Sequence, residues 1–285
     1  MNKDGGWRLW LSCQAGRVAR TPASRWLIPG FAHHYRIPRD EAVIPVGGFA
    51  SLQQFFCRSL RPELRPIASD PGVLVSPADG LITAGGSIVA GELLQAKGHT
   101  YSIGELLGDA ARAEAFLGGC YATIYLAPAD YHRVHAPAAG DLVEARYIPG
   151  ARWSVSPRTA ERVPRLFAQN ERLISYLDTA LGPVAVVMVG ACLVGAIRVN
   201  YDPLWNAGPG PHVADRRRYD PALAFTRGQE LARFEFGSTV ILLAAPELGA
   251  SLCASSGTRV LMGAPLMRTV NPAEISPPAA PECLP

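Results

Sequence analysis

Four side chains in short, widely separated stretches carry the chemistry this sequence can do: Asp79 in "SPADG", His132 and His135 in "YHRVHAP", and Ser238 in "RFEFGSTVILLA". An acid, an imidazole and a hydroxyl can form a relay, the carboxylate orienting the ring and the ring taking the hydroxyl proton. Each residue also has an ordinary explanation. Aspartate in a Pro-Ala-Asp-Gly turn commonly hydrogen-bonds backbone, and Gly-Ser-Thr before an apolar run can be a plain turn. Two histidines three apart can be half of a metal site, but no partner ligands stand at zinc spacing, so no metal is expected. The six cysteines (Cys13, Cys57, Cys120, Cys192, Cys253 and Cys283) include no CxxC pair. Such scatter argues for reduced thiols in a cytosolic compartment rather than a disulfide framework.

The residue before Ser238 narrows the chemistry. A hydrolase nucleophile usually sits in a G-x-S-x-G elbow, and this chain lacks one. Gly237 instead leaves its own carbonyl unshielded and tolerates strained backbone angles. Ser238 Oγ can therefore attack the Gly237 carbonyl carbon, exchanging an amide for an ester. β-Elimination then breaks the serine Cβ–O bond and cuts the backbone. The dehydroalanine left behind hydrolyses to a pyruvoyl group at a new N-terminus.

Several elements must position these groups. The 285 residues suffice for a substantial core; hydrophobic residues make up 48% and charged residues 18%, and mean hydropathy is +0.11. Even so, no window offers the roughly eighteen unbroken apolar residues that a spanning helix needs. The nearest, residues 183–199, is short, valine-rich and cut by Gly190 and Gly195, and reads as buried strands. Residues 7–35 interleave Trp7, Trp10 and Trp26 with Arg8, Arg17, Arg20 and Arg25, a composition suited to a membrane interface or to an ordinary amphipathic helix. Thr21-Pro22 and Pro29-Gly30 break it into short helices. Further helices are expected over 51–60, 103–108 and 109–116. From residue 73 onward, short apolar runs between Gly and Pro predict strands. "SPADGLI" (76–82) and "APAAGDLV" (136–143) share a Pro-Ala-x-Gly turn leading into a strand, which suggests duplication. Residues 203–222, with Arg216-Arg217-Arg218, read as an exposed loop. The fold expected is α+β, a β-rich pseudo-duplicated core with short N-terminal amphipathic helices. Residues 1–60 would form a membrane-associating helical region, 61–270 the catalytic domain, and 271–285 a disordered tail. A net charge of +3 suits an anionic surface without requiring one, and no nucleic-acid partner is implied.

The segments "FFCRSLRPELRPI", "SPADGLI", "QAKGHTYSIGELLG", "YLAPADYHRVHAP", "YIPGARWSVSP", "LFAQNERL", "GPVAVVMVGACLVGAI" and "RGQELARFEFGST" run in order from about residue 50 to 245. Together they resemble the pyruvoyl-dependent phosphatidylserine decarboxylases, in particular the bacterial membrane-associated type. The resemblance implies Asp79, His135 and Ser238 as the relay for self-cleavage and His132 as the histidine of the decarboxylation step. It implies a cut between Gly237 and Ser238, leaving chains 1–237 and 238–285 associated. Ser238 would become the pyruvoyl cofactor, forming a Schiff base with the amine of phosphatidylserine in the bilayer. The products would be phosphatidylethanolamine and CO2, made by a peripheral enzyme on the cytoplasmic side of the cell membrane. The family often has lysine and glycine where this chain has Arg227 and Ala232, and the match is loose over "RVNYDPLWNAGPGP". Three alternatives stay open on the residues alone: a serine hydrolase using the same triad, a lipoyl-like β module without catalysis, and a pyruvoyl decarboxylase of another amino acid.

Overall fold

The apolar runs beyond residue 73 are strands. The computed structural model describes residues 16–96, 98–191, 197–206, 214–235 and 238–270. Its strands are β1 (Val73–Val75), β2 (Gly80–Ser87), β3 (Glu92–Ala96), β4 (His99–Ser102), β5 (Cys120–Leu126) and β6 (Arg133–His135). They continue with β7 (Gly140–Ile148), β8 (Arg172–Thr179), β9 (Gly182–Gly190), β10 (Ile197–Val199) and β11 (Asp215–Phe225). The last are β12 (Glu230–Phe234), β13 (Ser238–Ala244), β14 (Ser251–Leu252), β15 (Arg259–Val260) and β16 (Pro265–Arg268). Eight of them form one sheet in the order β11-β7-β8-β9-β13-β5-β2-β15. Strand β13 lies at its middle, antiparallel to both β9 and β5, and all seven of its residues are buried. That explains a run with no polar alternation: neither face of this strand meets water. A smaller sheet, β10-β12-β6, brings the histidine segment beside the strand that precedes Ser238. With its short helices the chain is an α+β, strand-rich protein.

The two Pro-Ala-x-Gly units follow the same local course: a short strand, a bend, then a long strand, β1 to β2 in one and β6 to β7 in the other. They also bond reciprocally. Val75 N–H donates to Pro137 O at 2.9 Å, and His135 N–H donates to Pro77 O at 2.8 Å. Glycine is needed where each long strand starts. A Cβ on Gly80 would stand 2.4 Å from Tyr125 O, and one on Gly140 2.5 Å from Asp178 O.

Two expectations need correction. Residues 215–222 of the expected 203–222 loop are strand; β11 lies antiparallel along β7, and because alternate residues of a strand face opposite sides, Arg216 and Arg218 pair with Glu144 while Arg217 pairs with Asp202. The expected helix over 51–60 is only Leu52–Phe56, capped by the Ser51 side chain accepting from Gln54 N–H. It stops because Leu60 already pairs with Ala42 in extended chain and Pro62 follows. The N-terminal segment is divided into short helices as expected: a 3-10 helix spans Pro22–Leu27 and an α-helix Ile28–Tyr35, each with proline in its first turn. Helices Ile103–Leu107 and Ala110–Glu114 lie where expected. Residues 7–15, Cys13, Cys192, Gly237, Cys283 and the C-terminal tail lie outside the described residues. Cys57, Cys120 and Cys253 are free thiols.

Candidate active site

Ser238 is the first residue of β13, fully buried opposite Gly190 on β9 and Leu126 on β5. The chain reaches it from β12, whose partner is β6. The ladder between them runs on past β6, since Phe234 N–H donates to His132 O at 2.9 Å. His132 therefore stands where the backbone crosses from the small sheet to the large one.

Its ring is fixed on three sides. The Phe56 ring stacks on it at 4.0 Å between centroids, 26° from parallel. Nε2 lies 3.1 Å from Ala127 O, and a carbonyl can only accept, so Nε2 carries the hydrogen. Nδ1 then presents its lone pair to Ser238 Oγ at 3.5 Å, the outer edge of a hydrogen bond. Burial, assisted by the positive charge of Arg58, pulls the His132 pKa down to about 3 against the opposing pull of the Ala127 bond. Near neutral pH this imidazole is uncharged and able to accept a proton at the atom that faces the serine.

His135 faces elsewhere. Residues three apart in extended chain point to opposite sides; its Nδ1–H donates to Gly228 O at 2.8 Å and Nε2 accepts from the Tyr131 hydroxyl at 3.1 Å. Burial lowers its pKa as well. Asp79 is buried and occupied by Arg65, whose Nε lies 2.9 and 3.0 Å from the two carboxylate oxygens and whose Nη2 lies 2.5 Å from Oδ2. Met262 N–H also donates to Asp79 Oδ1, at 2.8 Å. The structure thus brings Ser238 to His132. It ties His135 to the Asp79 turn through backbone, and among the described residues no hydrogen bond joins the two side chains.

Sequence reasoning missed the supports. Phe56 holds the ring, Arg65 holds Asp79, and Tyr131 holds His135. Asp130 accepts Ala127 N–H at 2.7 Å and pairs with Arg259, fixing the turn that offers Ala127 O to His132. Asp in "APADY" is a turn signal that could have marked it; an aromatic plate or an arginine brought from another segment leaves no local signature.

A buried serine opening a core strand, set against a neutral imidazole, defines an α+β protein with a serine–histidine centre inside its sheet. The family model for phosphatidylserine decarboxylase matches residues 52–268. The chain is similar to the phosphatidylserine decarboxylase proenzyme of Azotobacter vinelandii, 46% identical over 245 residues covering 82% of this chain and 84% of the relative. It is similar to the proenzymes of Anaeromyxobacter sp. (44% identical, 85% and 90% covered) and Pseudomonas aeruginosa (45% identical, 78% and 78% covered). The chain belongs to the phosphatidylserine decarboxylase family, a family of carboxy-lyases.

Proposed function

We propose that this chain is a self-processing phosphatidylserine decarboxylase, forming phosphatidylethanolamine and CO2 in phospholipid biosynthesis. The observation that carries the reading is the Ser238–His132 contact at the head of β13, in a chain of this family. Ser238 Oγ attacks the Gly237 carbonyl carbon, its proton leaves to an imidazole, and the backbone nitrogen is protonated as the C–N bond breaks. The residues suit the pyruvoyl group that would follow. Its precursor is buried in the core beside a neutral imidazole able to accept the proton that the first step releases. Once formed, that group would supply a ketone able to condense with the substrate amine and an adjacent amide carbonyl able to take up the electron pair released with CO2. His132 presents an acceptor to this space, so it can return a proton to substrate carbon only after taking one at Nδ1.

Two assignments of the hydroxyl proton follow from different grounds. Family resemblance gives it to His135 with Asp79 behind, leaving His132 for decarboxylation; the 3.5 Å contact favours His132 for both. The reciprocal bonding of the two turn units supports a pseudo-duplicated core. Residues 61–270 are read as the catalytic domain, with 1–60 as a peripheral membrane-docking region and 271–285 as a tail. No described helix is long and apolar enough to cross a membrane.

Intact-mass measurement tests this. Purified protein should give two fragments meeting at 237/238, and Ser238→Ala a single uncut chain. If His135 is the base, His135→Ala accumulates uncut chain while His132→Ala cuts but turns over roughly 10²- to 10⁴-fold more slowly. If His132 is the base, His132→Ala is the uncut form. One unbroken active chain with serine at 238 would refute the whole reading.

A further inference from the structure

Arg58 is only 4% exposed, yet its Nε and Nη1 are buried without a hydrogen-bond partner. Nη2 is tied, donating to Ala129 O at 2.9 Å and lying 3.4 Å from Asp130 O. A buried guanidinium with open donors costs free energy that a ligand could recover. Arg58 lines a pocket of about 550 Å³, and so do Arg133 and Arg233. These two are direct cross-strand partners on β6 and β12. Like charges set opposite each other destabilise a ladder; Arg133 is partly compensated, Nη1 pairing with Glu230 and Nε donating to Cys57 O at 3.0 Å, while Arg233 Nη1 donates to the neutral Asn200 side chain at 3.1 Å. Among the described residues lining the pocket there is no carboxylate. Its other side is apolar, formed by Val43, Pro45 and Phe49, and the adjoining loop exposes Ile44 and Val46.

The pocket adjoins the candidate centre. Cys57, in its wall, follows Phe56 in the chain, and its Sγ–H donates to Phe234 O at 3.3 Å; Phe234 N–H in turn holds His132 O. We propose that this pocket is the subsite for the phosphodiester of an anionic amphiphile, with the arginines on the phosphate and the Val43–Phe49 lip toward the acyl side. This rests on the phosphatidylserine reading above. The phosphodiester is preferred to the substrate carboxylate on energetic grounds. A clamp on the carboxylate would stabilise the ground state more than a transition state that is losing that charge, whereas the phosphate keeps its charge throughout.

The test uses processed enzyme and soluble dioctanoylphosphatidylserine, with glycerophosphoethanolamine, ethanolamine and inorganic phosphate as competitors. Arg233→Gln and Arg58→Lys should raise KM roughly tenfold to a hundredfold and weaken glycerophosphoethanolamine inhibition in step, leaving ethanolamine inhibition where it was. Arg233→Lys should recover part of the loss. Unchanged KM and inhibition in both variants would overturn the proposal, and so would inorganic phosphate binding more tightly than the phosphodiester. Should the wild type fail to decarboxylate this substrate, the broader reading fails. The pocket is then judged by calorimetry of glycerophosphoethanolamine on the Ser238→Ala chain with and without Arg233→Gln: equal affinities sink it, a tenfold loss sustains it.

Discussion

A histidine that is to accept a proton from a buried serine must be neutral, correctly tautomeric and held still, and at His132 each of these conditions traces to a named neighbour. Ala127 O selects the Nε2–H tautomer, Phe56 covers one ring face, and burial with Arg58 suppresses the charged form. In the uncut Ser238→Ala chain, nitrogen-15 NMR should find His132 as the Nε2–H tautomer, uncharged from pH 8 down to pH 5. Phe56→Leu opens the stacked face, and desolvation is the first cause of the shift, so the His132 pKa should climb toward the ordinary imidazole value. A ring that protonates near 6.5 in the parent would mean that the site is wet and that the proton argument for His132 fails.

At the scale of elements, β11 is held to β7 by their backbone ladder and by one buried carboxylate. Glu144 receives Arg112 Nη2 and Arg216 Nη2, each at 2.9 Å, with Arg218 Nε at 3.3 Å. Burial opposes its charge, but the hydrogen bonds from Arg216 and Arg112 outweigh that and hold its pKa below the usual glutamate range. Glu144→Gln should lower the urea midpoint by the equivalent of about 1–3 kcal/mol at pH 7. The sign in pH follows from the depressed pKa. The stabilisation is complete above the unfolded-state value and disappears as pH falls through the folded one, so parent and variant should converge in acid. A gap that stays constant as the pH is lowered through the acid range would assign the loss to packing. This strand is also where sequence reading stopped short. Gly, Pro and three successive arginines look like a loop, and nothing local reports that Glu144, far back in the chain, waits for two of them. The strands of the core were legible because their apolar runs exceed any loop's, and Ser238 stood out as a candidate because of the glycine before it. The histidine pair was legible as chemistry but not as geometry. An extended reading of "YHRVH" would already have turned His132 and His135 to opposite sides, as the structure has them, with His132 toward the serine.

The whole molecule couples its N-terminal surface to its centre by a short aromatic path. Helix Ile28–Tyr35 buries Ile28 and Ala32 in a cluster with Phe55. Phe31 meets Phe56 edge-on at 6.3 Å, and Phe56 is the plate stacked on His132. The outward side of the same segment leaves Trp26 74% exposed and Leu27 54% exposed, with the Arg25 guanidinium 4.9 Å above the Trp26 ring. An indole and a guanidinium so placed suit an anionic interface, each basic group near one contributing ~1 kcal/mol. Removing residues 1–35 would be a poor test, because it strips the cover from Phe55 and disturbs Phe56 with it. Trp26→Ser with Leu27→Ser alters only exposed side chains, and surface changes of that kind move stability by about 0.5 kcal/mol or less. Cosedimentation with vesicles containing phosphatidylserine should fall severalfold in this double variant. Decarboxylation of vesicle-borne lipid should fall with it, while turnover of soluble dioctanoylphosphatidylserine and the thermal midpoint hold. Vesicle binding equal to the parent's would move the docking face away from Trp26 and Leu27, which end the 3-10 helix before Ile28. Loss of soluble turnover alongside it would mean that the surface reaches His132 through Phe31 and Phe56 instead of through the lipid.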